Sequence, residues 1–328
     1  MTRFIFGDGN LAEGLVPQGF DSKINRIIAL GYFDGVHLGH RKIMDTMLRE
    51  AKELGLCSAA QTFSSIPISK RKSNPHQELL STIEERCAVM EGLGVSEIIV
   101  FPFSERFSEI SAMDYLNLIV KDLLGAKAVV VGHDFRFGAG GIGNVEMLSA
   151  WGEKNDIRVI SVDPVLYQGQ VISSSWIKDV LGSGDVNTVG ALLGRPVSYS
   201  GKVVKGKQLG RTFGFPTANI LPPDNRLLPP MGVYVSRLCI NEVSYPSVTN
   251  IGIRPTVDGI NLDTTIETLV IGETLDLYDQ QISVFLLDKL RDEIRFSDFD
   301  QLKKQVEEDK KAASDYHRLS GIYSQPSC

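Results

Sequence analysis

Along the first half of the chain, short apolar runs alternate with segments of helical character. The runs are Arg26–Leu30, Leu56–Phe63, Glu97–Phe101, Ala128–Val131 and Ile157–Val162, each of strand length. Between them, His40–Leu54 places Ile43, Met47, Ala51 and Leu54 on one helical face. Glu78–Leu93 and Ala112–Leu124 read as further helices, and Asn144–Gly152 as the start of another. This alternation predicts an α/β unit, a parallel sheet with helices on both faces and ligands at the carboxyl ends of its strands. From Pro196 the pattern changes. Val197–Val204, Val233–Cys239, Ser244–Ile251, Thr264–Ile271 and Gln281–Leu287 are β-branched stretches broken by Gly, Pro and Asn, which predict an antiparallel barrel or sandwich. A helical connector runs from Ser175 to the region of Leu193, and a final helix spans Phe299–Leu319. The expected domains are residues 1–186 and 187–328.

Length agrees: 328 residues, at roughly 150 per domain, make two domains. The formal net charge of −6, from 34 Lys+Arg against 40 Asp+Glu, argues against generic nucleic-acid binding but leaves room for a local basic pocket. No apolar run approaches the ~18 residues of a membrane span. The first fifteen residues carry Asp8 and Glu13 and lack the apolar core of a signal peptide. Cys57, Cys87, Cys239 and Cys328 form no CxxC pair, so neither a zinc site nor a disulfide framework is expected, and a reducing, cytoplasmic setting fits best. Oligomeric state is open.

The densest chemistry follows the first strand, in Gly31-Tyr32-Phe33-Asp34-Gly35-Val36-His37-Leu38-Gly39-His40. Gly31 and Gly35 suit a sharp turn and a close approach to a ligand. Gly39 removes a side chain between two histidines where a helix begins, and a helix N-terminus offers free amides and positive dipole to an anion. His37 and His40 can aim at one phosphate and stabilise the charge of a pentacovalent α-phosphate, so that attack there expels pyrophosphate. No carboxylate or cysteine completes a zinc set.

GYFDGVHLGH resembles the HxGH nucleotidylyltransferases, and its FDGVHLGH form is similar to the bacterial bifunctional riboflavin kinase/FMN adenylyltransferase (FAD synthetase) family. The resemblance runs in family order almost to the end of the chain. It implies a Rossmann-like nucleotidylyltransferase domain followed by a small antiparallel β-barrel riboflavin kinase domain with a C-terminal helix. It also implies phosphorylation of riboflavin by ATP to FMN, then adenylylation of FMN to FAD, both with Mg²⁺. Within the histidine turn it assigns His37 and His40 to catalysis and Gly31, Phe33, Asp34 and Gly39 to ATP.

Three further stretches carry the likeness. VGHDFRFG, Val131 to Gly138, is similar to a block that would put Asp134, Phe135 and Arg136 at the flavin. Gly138, Gly140 and Gly143, with Asp163, also mimic a dinucleotide fingerprint, but the glycines come six residues after the strand end near Gly132, and the first βα turn belongs to the histidines. The family's ISSTxIR reads Ile172-Ser173-Ser174-Ser175-Trp176-Ile177-Lys178 here, a helix start whose Ser173, Ser174, Ser175 and Lys178 would clamp phosphate, with Lys lacking the fork of Arg. The family's TFDPHP reads Thr62-Phe63-Ser64-Ser65-Ile66-Pro67, without its acidic residue and histidine.

In the second half, Gly206 to Asn219 resembles the riboflavin kinase signature, a glycine-rich loop ending in PTAN. Gly206, Gly210, Arg211 and Gly214 would close over ATP phosphates. Thr217 and Asn219 alternate, so in an extended segment both face one side, and hard oxygens suit Mg²⁺. A P-loop start at Gly201-x-x-x-x-Gly206-Lys207 fails because Gln208 stands where Ser or Thr must hold the metal. Glu267, with Tyr278 eleven residues on, matches the block that carries the kinase base, and would take the proton of the ribityl 5′-hydroxyl as it attacks the γ-phosphate. Leu269 and Asp279 depart from that block. Arg291, in an RDExxF stretch, is expected on the flavin side. Two rivals stay open: a kinase-only enzyme with a weakened first domain, and a non-catalytic flavin- or nucleotide-binding regulator.

Overall fold

The computed structural model describes residues 2–7, 16–65, 78–204, 215–223, 225–255 and 262–320. They form two compact units, Met1–Ser174 and Ser175–Cys328, so the connecting helices group with the second unit.

In chain order the first unit carries β1 (Thr2–Ile5), β2 (Arg26–Leu30), α1 (Leu38–Leu54), β3 (Cys57–Phe63), α2 (Ile83–Gly92), β4 (Glu97–Phe101), β5 (Ala126–Gly132), α3 (Val145–Asn155) and β6 (Arg158–Val162). The six strands make one sheet in the order β1-β4-β3-β2-β5-β6, with every neighbouring pair parallel. Side chains alternate between two cores. Ile28, Leu30, Ile99, Phe101, Val129 and Val131 pack into one, and Ile27, Ala29, Ile98, Val100, Ala128 and Val130 into the other. The chain goes from β2 to β3 on one side and reaches β5 on the other, so strand order reverses at β2. The crevice outside the carboxyl end of such a switch point is where doubly wound sheets bind ligands, and the histidine turn begins there.

Two expectations are corrected, and one strand is additional to those expected. The edge strand β1 is too short and too exposed to announce itself. The helix expected over Ala112–Leu124 is a short turn, Ala112–Asp114, continuing into a π-helical stretch at Tyr115–Leu123. Leu54, placed on the buried face of α1, is exposed in its last turn just before the left-handed Gly55 cap. A two-residue hairpin, β7 (Leu166–Tyr167) with β8 (Gln170–Val171), precedes the serine cluster.

The second unit starts with α4 (Ser174–Ser183) and α5 (Val186–Leu193), two helices where one connector was expected, parted at Gly184 with φ +90°. Then come β9 (Val197–Lys202), β10 (Thr217–Ile220), β11 (Gly232–Ile240), β12 (Val243–Pro255), β13 (Leu262–Val270), β14 (Gln281–Arg291) and α6 (Phe299–Ser320). The strands pair antiparallel in the order β10-β13-β12-β11-β14-β9. Just beyond β9, Val204 N donates to Asn219 O at 2.8 Å, bringing the two edges of the curled sheet together as a barrel. Ala313 and Tyr316 of α6 pack on Val233, Val235, Val248 and Leu287. A chain of buried hydroxyls, Ser247–Ser236–Thr249–Thr268, crosses β11, β12 and β13 at 2.7–2.9 Å per step. Cys57 and Cys87 are free thiols.

Candidate functional site

The histidine turn is built on left-handed backbone. Phe33, Gly35 and Val36 have φ of +57°, +79° and +40°, and Val36 N closes the turn on Phe33 O at 3.0 Å. A β-branched residue in that region is strained, and such strain persists where the surroundings over-determine the backbone. Gly31 also has a packing role. The Phe33 ring folds back over it, and a Cβ would lie 2.7 Å from that ring.

His37 caps α1 with its own side chain, Nδ1 accepting from His40 N at 3.4 Å. That bond leaves the ring proton of neutral His37 on Nε2, a donor for a ligand. The His40 ring stacks on His37 with centroids 3.6 Å apart and planes 21° apart, and Phe33 meets it edge-on. Burial, then His37, then Arg86 hold the His40 pKa well below the ordinary imidazole value, so the pair is neutral at His40. Its Nδ1 is buried without a hydrogen-bond partner. The pair therefore offers polar nitrogen at the start of a helix, and the positive potential comes from the helix N-terminus and from Arg86.

Asp34, expected at the phosphates, is buried, and its Oδ1 accepts from Leu80 N at 2.9 Å and Ser81 N at 3.2 Å. Ser174 Oγ donates to Asp34 O at 3.0 Å, and the ideal Cβ of Gly39 lies 3.8 Å from Ile172 O, so Ile172–Ser174 runs beside the turn. Ser175 is exposed and Lys178 half-buried on α4. Asp134, Phe135 and Arg136 follow β5, at the same edge of the sheet. Asp134 and Arg136 are exposed, and Phe135 stacks on Phe137 at 5.6 Å. The glycine decoy is a tight loop, since a Cβ on Gly138 would meet Ala112 N and Cα within 2.6 Å. Ser64 and Ser65 tie to the end of β4, through Ser64 N to Phe101 O and Phe103 N to Ser65 Oγ, both at 2.9 Å.

In the second unit, register brings the predicted residues together. Asn219 of β10 stands opposite Glu267 of β13, and Asn250 of β12 opposite Glu267 on its other side. Asn219 is buried, and its Nδ2 donates to Thr217 O at 3.2 Å and Thr217 Oγ1 at 3.3 Å, which places the two side chains on one face. Thr217 Oγ1 and Asn219 Oδ1 form a hard-oxygen set of the kind Mg²⁺ takes. Thr217 borders two cavities. One, of about 410 Å³, is mainly apolar: Phe215, Leu269, Ile294, Phe296 and Phe299 line it, with Glu267, Asn250 and Arg291. The other, of about 490 Å³, is more polar, with Thr268, Glu273, Thr274, Asp276 and Tyr278. Arg291 lines the first cavity while its Nη2 and Nε grip the Asp309 carboxylate of α6 at 2.7 and 3.0 Å. Gly206, Gly210, Arg211 and Gly214 lie outside the described residues.

Sequence reasoning missed Asn250, Asp309 and Arg86. Asn250 and Asp309 are separated in sequence from the motifs they join, and only strand register and helix docking bring them in. Arg86 follows Glu84 and Glu85 and reads as part of a solvated helix face.

Comparison with known proteins finds one family in each half of the chain. The FAD synthetase family model matches residues 20–176, and the riboflavin kinase family model matches residues 193–317. The bifunctional riboflavin kinase/FMN adenylyltransferase of Escherichia coli K12 is 33% identical over 295 residues, 90% of this chain and 93% of its own length. The protein of that name from Bacillus subtilis is 32% identical over 301 residues, 90% of this chain and 94% of its own. A crystal structure from Streptococcus pneumoniae, described as a macrolide-efflux protein, superposes with a TM-score of 0.81 at 30% identity, covering 90% of this chain and 96% of that one. Among the described residues here, no helix is long and apolar enough to cross a membrane.

Proposed function

We infer that this chain, which belongs to the bifunctional riboflavin kinase/FMN adenylyltransferase family, phosphorylates riboflavin to FMN in its second unit and adenylylates FMN to FAD in its first. Riboflavin, FMN and ATP are its substrates, and FMN, FAD, ADP and pyrophosphate its products. The observation that carries the reading is that each unit gathers residues suited to phosphate chemistry, His37 and His40 at the start of α1 in the first and Thr217, Asn219 and Glu267 on adjacent strands in the second.

In the second unit, the apolar cavity suits a flat tricyclic ring, and the polar one a nucleotide. Glu267 at the boundary takes the proton from the ribityl 5′-hydroxyl as that oxygen attacks the γ-phosphate. Thr217 and Asn219 would hold Mg²⁺, which when bound neutralises charge on the phosphates. Arg291, anchored by Asp309, presents its remaining edge to the flavin. In the first unit, the FMN phosphate attacks the ATP α-phosphate. His37 Nε2–H and the neutral His40 donate to the developing equatorial charge, and the amides of α1 add to it. Ser173 and Ser174 steady the outgoing pyrophosphate. Phe33 fixes the His40 ring, and Asp34 fixes the turn to the start of α2. Asp134, Phe135 and Arg136 lie where the flavin of FMN enters. A cytoplasmic setting supplies the ATP that both reactions consume.

Separation of flavins by HPLC tests both halves. Riboflavin with MgATP must give FMN, and FMN with MgATP must give FAD. FMN without any FAD at high enzyme concentration would reduce the chain to a kinase, the outcome that the altered Ser64–Pro67 segment makes worth measuring. Flavin binding without ATP consumption would make it a regulator.

A further inference from the structure

We propose that Arg86 is a positioning residue of the adenylyl-transfer site, a fixed cation beneath the histidine turn whose countercharge is the polyphosphate of the bound nucleotide. The proposal rests on the adenylyl-transfer reading of the first unit.

Arg86 sits in the first turn of α2 and is 1% exposed. Its Nη1 donates to Phe63 O at 2.9 Å, Tyr32 O at 3.0 Å and Thr62 Oγ1 at 3.1 Å. Nη2 and Nε reach Ser81 O and Ser81 Oγ at 3.4 and 3.5 Å, and the guanidinium lies over the Tyr32 ring at 4.6 Å. These acceptors are all neutral, so no carboxylate meets the guanidinium directly. Asp34 is joined to it through Ser81 Oγ, at 3.4 and 3.5 Å, and not directly.

Arg26, also fully buried among the described residues of this unit, shows the contrast. Arg26 carries its own carboxylate, with Nε 2.6 Å from Glu97 Oε2. A buried charge without a partner is costly and is kept where something else offsets it. The carbonyls that Arg86 gathers belong to the residues just after β2 and at the end of β3, so its charge stands at the carboxyl edge beside the switch point. An anion bound at the histidine pair would sit in that potential with little solvent screening. The same charge is felt at His40, after burial and His37.

The test uses the full chain with Arg86→Gln and Arg86→Lys. Pyrophosphate without metal is titrated while the Cε1–H resonances of His37 and His40 are followed, and the KM for ATP in FAD formation is measured. FMN formation in the second unit serves as an internal control. The Gln variant is expected to weaken pyrophosphate binding and raise that KM about tenfold, while Lys, which keeps the charge and loses the fork, stays within about threefold of wild type. Wild-type behaviour of the Gln variant overturns the proposal. So does a Lys variant that loses pyrophosphate, because then the clamp on the carbonyls matters and the charge does not. Should Gln unfold the first unit, seen as collapse of the histidine resonances, the Lys variant decides alone. Pyrophosphate binding at the histidines in a protein that makes no FAD would instead sink the adenylyl-transfer reading.

Discussion

The imidazoles of His37 and His40 lie face to face, 3.6 Å between centroids, because no side chain projects from Gly39 beside the His37 ring. A Cβ on Gly39 would stand 3.1 Å from His37 Cε1 and Nδ1. Gly39→Ala therefore pushes the His37 ring off its partner. Alanine favours the helix by about 0.5–1 kcal/mol, so thermal stability is expected to hold. FAD formation is expected to fall about a hundredfold from the displaced ring, while FMN formation continues. Equal loss of both activities would mean general misfolding and not a displaced catalytic group.

His40 also makes a pH prediction with a definite sign. Burial, His37 and Arg86 all disfavour its charged form, so its folded pKa lies well below the ordinary value. The unfolded chain then binds a proton more readily than the folded one. Stability is full above the unfolded value of about 6.5 and falls as pH drops below it, by at most about 1.4 kcal/mol per pH unit for one group. The His40 Cε1–H resonance is expected not to titrate between about pH 6 and 8, and His40→Asn should flatten the acid limb of a melting-temperature profile. His317 of α6, its pKa lowered chiefly by burial, contributes with the same sign in the second unit.

Both layouts were legible in the chain because hydrophobic period reports which face of an element is covered. Arg26–Leu30 and Glu97–Phe101 were recoverable to the residue, since buried parallel strands are apolar on both faces. The histidine turn was legible for a local reason: strand, glycines and helix start are adjacent in sequence. What escaped depends on register or on long-range contact. The pairing of Asn250 with Glu267 follows from how β12 slides along β13, which no single strand encodes. The chain Ser247–Ser236–Thr249–Thr268 has three strands as its source and looks, in any one of them, like ordinary polar alternation. The anchoring of Asp34 was illegible for the same reason, since the donors to its Oδ1, Leu80 N and Ser81 N, come from a segment more than forty residues away.

The Arg291–Asp309 pair ties the cavity wall of β14 to α6, with the two side chains only 18% and 8% exposed. Asp309→Ala leaves the arginine without its carboxylate and also removes the acceptor of Gln305 Nε2. The expected cost is about 2–4 kcal/mol, below the full value for a buried pair because Arg291 keeps some water contact. Since α6 supplies Phe299, Leu302 and Val306 to the cavity, the KM for riboflavin should rise in FMN formation. FAD formation from supplied FMN should be unchanged. Chemical denaturation and the two flavin assays check this together, and an unaltered riboflavin KM would show that α6 holds its place without the pair.

Glu267 separates the two chemistries most cleanly. It stands between Asn219 and Asn250 across three strands, at the cavity where an apolar ring would bring its hydroxyl-bearing chain towards Thr217 and Asn219. Glu267→Gln preserves the shape but replaces an acceptor oxygen with an amide donor and removes the base. A positioned base contributes about 10²–10⁴-fold, so FMN formation should fall by that factor with the riboflavin KM nearly unchanged, as befits a group acting in the transition state. FAD formation from added FMN should proceed at the wild-type rate, because the histidine site lies in the other unit. The reciprocal experiment, His37→Asn, should stop FAD while FMN accumulates. If Glu267→Gln instead raised KM and spared kcat, the carboxylate would be a binding group, and the proton of the 5′-hydroxyl would have to leave by another route, with Asn250 and Asn219 unable to accept it as neutral amides.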